Sequence, residues 1–315
     1  MNATAVSLRD CYGSALPELG ARFPGIVVLD ADLSSSTRTK GFKQRFPDRY
    51  LNVGIAEQNL VGVAAGIALA GEIPLVNTFA AFLTRRACDQ IAISVAYPHL
   101  NVKFFGFHAG INLGEDGATQ QSVEDLAIMR GIPGIRVFSP IDATDLNRTL
   151  EEVLTWEGPT YVRLSRFPTR AVSDGEVEVG HDPLAWKVLE RGDDLCVFTT
   201  GTVTEEVLRA TAELRTMGTN CQVVAVTRIK PLAESIRELV TLGNSPIAVV
   251  EEHSVFGGLA DALAELLDRT RLDHRLHRIG IPDRFGESGP PRQLLEHFKL
   301  SGQPLVSELL RASQR

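Results

Sequence analysis

Short apolar, β-branched runs at residues 26–29, 74–78, 102–107, 135–138 and 160–164 alternate with longer stretches in which apolar residues recur every three or four positions. Strand-like runs separated by helix-period segments predict βα units around a mostly parallel sheet. Before the first strand, Leu8, Cys11, Tyr12, Ala15, Leu16 and Leu19 make one apolar stripe at helical spacing. A helix over 59–70, rich in Gly and Ala, is expected to be buried and closely packed. Further helices are expected over 81–96 and over 142–156, where Leu146, Leu150 and Leu154 share a face. From 165 to 184 Pro, Gly and charge mix without a period, as in a connection between folding units. A second, shorter alternation follows, with strands at 195–199, 222–226, 247–250 and 275–279 and a helix at 203–216. The expected architecture is α/β in two domains: residues 1–170, a linker over 171–190, and a smaller α/β domain over 191–315.

Composition narrows the possible roles. The chain has 315 residues, 44% hydrophobic and 23% charged, enough for two cores and far from the signature of disorder. A net charge of −7 gives no broad field for phosphate backbones, so nucleic acid is not an expected partner. The longest apolar stretch, 60–70, is half Gly and Ala and falls short of the ~20 residues that span a bilayer, so no membrane segment is expected. The first nine residues carry no apolar core of a signal peptide. Cys11, Cys88, Cys196 and Cys221 lie far apart without a Cys-x-x-Cys pair, which argues against a metal cage or disulfide framework and for the cytoplasm.

Three polar clusters sit beside Gly-rich or apolar backbone. Residues 30–37, Asp-Ala-Asp-Leu-Ser-Ser-Ser-Thr, follow a strand, where open α/β sheets bind ligands; a solvated, Asp-capped loop fits equally. Residues 54–59 place Glu57 at the start of the expected buried helix, where it would either complement the helix dipole or, if desolvated, share a proton near neutral pH. The third cluster joins His108 to Glu115, Asp116, Gln120 and Gln121 in one glycine-bearing loop, which favours a site. Phe79 and Phe82 read on spacing as core. Thr199 to Thr202 reads as an anion-facing turn or as a plain capped turn. Neither a dinucleotide fingerprint, a P-loop nor a nucleophile elbow is present.

These clusters, in this order, resemble the C-terminal half of transketolase, and most nearly the short second subunit of split transketolases. The likeness spans 30–36, 52–66 around Glu57, 77–82, 108–121, 164–166 and 251–258, Glu-Glu-His-Ser-Val-Phe-Gly-Gly. It implies a pyrimidine-binding domain followed by the transketolase C-terminal domain, thiamine diphosphate as cofactor, and transfer of two-carbon ketol units between sugar phosphates. On the resemblance, Glu57 hydrogen-bonds N1′ of the aminopyrimidine and favours the tautomer that deprotonates the cofactor. Phe79 and Phe82 form the aromatic wall of the pyrimidine site, against their reading as core, and Asp32 and Leu33 face the cofactor, Leu33 as an apolar wedge. Arg9, Ser36 and Arg166 match positions that hold the sugar phosphate, His108 the histidine at the donor sugar, and Asp116 the aspartate that reads a substrate hydroxyl.

Two departures qualify the match. Gln120 stands where transketolases usually carry histidine, and glutamine cannot exchange a proton near pH 7, which predicts altered turnover or donor preference. No Gly-Asp-Gly segment occurs, so the resemblance implies that Mg2+ (or Ca2+) and the diphosphate are held mainly by a partner, the N-terminal transketolase subunit, in an α2β2 heterotetramer. Arg85 and Arg86, beside Phe82, receive no role. The rival readings are a subunit like 1-deoxyxylulose-5-phosphate synthase, the β subunit of a 2-oxoacid dehydrogenase, and a non-catalytic regulatory paralogue.

Overall fold

The computed structural model describes residues 5–173, 178–179, 182, 184–241, 245–268 and 276–314. It is an α/β structure of two main sheets, as the alternation predicts. The first has seven strands in the spatial order Arg228–Lys230, Arg136–Phe138, Thr160–Leu164, Lys103–Phe107, Ile73–Phe79, Ile26–Asp30 and Tyr50–Asn52. All neighbours run parallel except Arg228–Lys230, which pairs antiparallel to the edge strand. The second sheet has the order Leu276–Ile281, Ile247–Ser254, Leu195–Thr200, Cys221–Val226, Trp186–Glu190 and Glu178–Val179, with its first four strands parallel.

The apolar stripe of the first helix, Leu8–Arg22, buries Leu8, Tyr12, Leu16 and Leu19, while Cys11 and Ala15 are only half-buried. Ser7 caps that helix by accepting from Asp10 N at 3.2 Å, satisfying one of its orphan donors. A short ladder of Val6–Ser7 against Pro168–Thr169 draws Arg9 toward Arg166, although 157 residues separate them in sequence. The helix expected over 81–96 is two pieces, Ala80–Arg86 and a π-helical stretch Gln90–Ala96. Wide π turns break the ordinary ladder, and the apolar run of this segment hides the break from periodicity.

The expected linker 171–190 ends in a strand of the second sheet, Trp186–Glu190, and residues 174–177, 180, 181 and 183 within it lie outside the described residues. Residue 275, expected to begin the last strand, also lies outside them. The two units share a core, since Met129 and Ile132 of the first belong to one apolar cluster with Trp186, Val226, Ile229 and Leu263 of the second. Thr199 to Thr202 is a turn entering a short 3-10 helix without the expected Thr cap, since Thr200 Oγ1 donates instead to Val226 O at 2.6 Å. No helix among the described residues is long and apolar enough to cross a membrane.

Candidate active site

Every strand whose carboxyl end reaches the site is parallel, so their ends open on one edge of the first sheet. Asp30 ends the first of these strands, Phe79 the next, Phe107 the third and Leu164 the fourth. His108 and Arg166 follow directly. Such an edge is where open α/β sheets place ligands.

Asp30 organises the 31–39 loop. Fully buried, it accepts from Leu33 N at 2.5 Å, Thr37 Oγ1 at 2.7 Å and Thr39 Oγ1 at 3.2 Å. Burial raises its carboxyl above the ordinary range, partly offset by those donors. Asp32 sits at φ 63° and is tied to Asn52, with Asp32 N donating to Asn52 Oδ1 at 3.0 Å. Leu33 and Ser36 are half-buried on the same loop. Arg38 forms an ion pair with Asp10 at 2.7 Å, pinning the loop to the first helix.

Several sequence-predicted residues meet in one continuous row. Arg9 Nη1 lies 3.3 Å from His108 Nε2, the His108 and Phe79 rings have centroids 4.3 Å apart, and Phe79 stacks on Phe82 at 5.4 Å. The Arg86 guanidinium then covers the Phe82 ring at 4.2 Å, and its Nη1 donates to Glu57 Oε1 at 3.0 Å. Glu57, the first residue of helix Glu57–Leu69, is 4% exposed, whereas the Arg86 side chain is half in solvent. Arg86 is the participant sequence reading left without a role. Its signal was its place one helical turn beyond Phe82, where an arginine can lie over the ring.

His108 is electrostatically set. Burial and the neighbouring Arg9, Arg166 and Arg38 cations push its pKa down to about 3. Because a guanidinium only donates, Nε2 accepts from Arg9 and the ring proton belongs on Nδ1, which is buried without a partner. The imidazole is therefore neutral through the physiological range. In an unfolded chain an ordinary histidine protonates below about 6.5. As pH falls from 6.5 toward 3 the unfolded state gains a proton that the native state does not, so stability falls with pH over that window. A 15N NMR titration is expected to show His108 as the neutral Nδ1–H tautomer still at pH 5; an imidazolium signal there would contradict the arrangement.

Arg166 acts on the row through charge, as a cation near Arg9 and His108. Arg166 and Asp116 approach each other at 3.9 Å, both nearly half exposed, beside a cavity of about 390 Å³ that Asn112, Leu113, Phe167 and Pro291 also line. Gln120 is half-buried, its backbone N donating to Gly117 O at 3.1 Å and its side chain bonded to no described residue. Leu33 packs against the apolar cluster that contains Phe79.

The residues present suit an aminopyrimidine: a buried carboxylate beside a stacked aromatic pair can take a ring nitrogen and a ring face together. They do not suit its diphosphate, since no cluster of metal-ligating side chains occurs among the described residues.

The profile of the family "Transketolase, pyrimidine binding domain" matches residues 4–170 and that of "Transketolase, C-terminal domain" residues 184–304. A protein of Methanocaldococcus jannaschii named for a transketolase C-terminal section is 40% identical over 303 residues, covering 96% of this chain and 95% of its own length. A 6-deoxy-6-sulfo-D-fructose transketolase subunit of Clostridium sp. (strain MSTE9) is 38% identical, covering 98% of this chain and 95% of its own. Among solved structures, a split-gene transketolase described as an inactive β4 tetramer superposes with a TM-score of 0.86 at 37% identity, covering 99% of both chains. The chain belongs to the transketolase family, which it matches through the pyrimidine-binding domain and the C-terminal domain that follows.

Proposed function

We propose that this chain is the pyrimidine-side subunit of a thiamine diphosphate-dependent transketolase that moves a two-carbon ketol unit between sugar phosphates when joined to an N-terminal partner subunit. The observation that carries the reading is the unbroken row from Arg9 through His108, Phe79, Phe82 and Arg86 to Glu57 at the carboxyl ends of parallel strands. When bound, thiamine diphosphate supplies the carbon nucleophile and the electron sink that ketol transfer requires. Glu57 holds the pyrimidine ring nitrogen, Phe79 and Phe82 hold its face, and Asp32 and Leu33 border it. For that to happen Arg86 must leave the Glu57 carboxylate and the Phe82 ring, which its half-exposed side chain permits.

His108, beside Arg9, brings a neutral imidazole rather than a positive charge to the donor sugar. Arg9 and Arg166, with Ser36, suit a tetrahedral anion at the far end of a ketose, and a phosphate and a sulfonate share that chemistry. Asp116 reads a hydroxyl of the substrate. The partner subunit holds the diphosphate through Mg2+ or Ca2+, in an α2β2 heterotetramer in the cytoplasm. The test is ketol transfer by the chain mixed with its partner, thiamine diphosphate and Mg2+, with each omitted in turn. Ribose 5-phosphate is the acceptor, and the donors are xylulose 5-phosphate, 6-deoxy-6-sulfo-D-fructose and pyruvate. Transfer from a ketose that needs every component supports the reading. Turnover of pyruvate alone overturns it in favour of synthase chemistry, and inactivity with all donors favours the regulatory paralogue.

Gln120 tunes this reaction. Glutamine donates and accepts without changing charge, so Gln120→His is expected to shift kcat/KM among those ketoses by about two- to tenfold, the worth of one hydrogen bond. An unchanged ranking and rate would remove Gln120 from substrate recognition.

A further inference from the structure

The loop that bears Asp116 and Gln120 is gripped from the second unit. Glu252, on strand Ile247–Ser254, is fully buried and spends both carboxylate oxygens on residues 111 and 112 of the first. Oε1 accepts from Ile111 N at 2.7 Å and Asn112 N at 2.9 Å, and Oε2 accepts from Asn112 Nδ2 at 2.6 Å. Gly110, at φ 80°, makes the approach possible, because a Cβ there would lie 2.2 Å from Glu252 Oε1. Beneath it, Arg163 Nη2 donates to the Glu252 backbone O at 2.8 Å while Arg163 Nε pairs with Asp125 at 2.9 Å. Burial pushes the Glu252 carboxyl up to about 7, against Arg163 and the donors of Ile111 and Asn112, so its retention at this place is costly unless the contact is used.

We propose that Glu252 is a positioning residue for substrate recognition: from the C-terminal unit it fixes residues 110–112, and through them the course of the loop that presents His108 at one end and Asp116 and Gln120 at the other. This deepens the transketolase reading and rests on it for the word substrate. The loop has other ties, Gln121 Nε2 donating to Glu287 O at 2.9 Å and to Ile111 O at 3.3 Å and Gly110 N to Ser122 O at 2.7 Å, so loss of Glu252 loosens residues 111 and 112 without releasing the whole loop. Glu252 itself touches no residue assigned to cofactor or substrate. The geometry gives the C-terminal unit a defined part in catalysis: it holds the recognition loop in register from behind.

Donor and acceptor polarity supplies the test. Glu252→Ala removes the acceptor of Ile111 N, Asn112 N and Asn112 Nδ2 together. Glu252→Gln keeps an acceptor for the two backbone amides, and its N–H2 meets Asn112 Oδ1 once the Asn112 carboxamide turns over. In the free chain, hydrogen exchange at the Ile111 and Asn112 amides is expected to quicken about ten- to a hundredfold in Glu252→Ala, with the central strands unchanged, and to stay near wild type in Glu252→Gln. In the assembled enzyme Glu252→Ala is expected to raise the ketose KM about tenfold, with kcat within a few-fold and thiamine diphosphate affinity unchanged, and Glu252→Gln to hold it near wild type. Exchange quickened equally throughout the chain, or wild-type KM in an active Glu252→Ala enzyme, overturns the proposal. If the wild-type assembly transfers no ketol unit while exchange at 111 and 112 responds as stated, the activity reading falls and the grip on the loop stands.

Discussion

Replacing Glu57 by alanine is expected to lower ketol transfer by the assembled enzyme about 10²- to 10⁴-fold, the span typical of losing a positioned acid–base group. The fold should survive, because among the described residues the lost carboxylate pairs only with Arg86, whose side chain is half in solvent and can rehydrate. Steady-state rates with saturating partner and cofactor, read beside thermal unfolding of the free chain, separate the two effects. Residual activity within threefold of wild type would sink the role of Glu57. The companion variant Arg86→Ala should behave in the opposite way. It removes the group that covers Glu57 and the Phe82 ring, so cofactor binding to the assembly should tighten or stay level rather than weaken.

The largest expected stability effect lies under the site. Arg163 and Asp125 form an ion pair at 2.9 Å with side chains 6% and 0% exposed, and Tyr161 Oη donates to the same carboxylate at 2.8 Å. Asp125→Ala strands a buried guanidinium and an unpartnered phenol, a loss of about 3–5 kcal/mol for a broken buried pair. Urea unfolding should show it as a marked drop in midpoint. Asp125→Leu combined with Arg163→Met should recover only part of it, because buried Glu252 then loses its neighbouring cation and Tyr161 Oη its acceptor. A drop below about 1 kcal/mol for Asp125→Ala would mean that water reaches Arg163.

What the sequence made legible was what obeys a period or a cluster. Five of the seven strands of the first sheet and four of the six of the second are apolar runs, and Glu57, His108 and the 30–37 loop stand out as polar groups beside them. Strand Trp186–Glu190 escaped notice because Lys187 is buried in it, paired with Asp145, where a lysine reads as surface. Strand Arg228–Lys230 is three residues long and two-thirds cationic, below any periodic signal. The Phe79 and Phe82 pair is ambiguous by spacing, since a stacked wall and a core pair have the same pattern, and Phe79 is indeed buried in an apolar cluster with Phe82 packed against it while His108 and Arg86 meet their rings. The grip of Glu252 on Asn112 spans 140 residues and leaves no local mark.

Strand Arg228–Lys230 closes the open margin of the first sheet with a piece of chain that comes after most of the second sheet's own strands. Cut anywhere before it, the first unit would bare the backbone groups of Arg136–Phe138 to any passing strand, an invitation to aggregate. The two halves are thus poor candidates for shuffling between proteins. They should be synthesised, inherited and destroyed as a single piece.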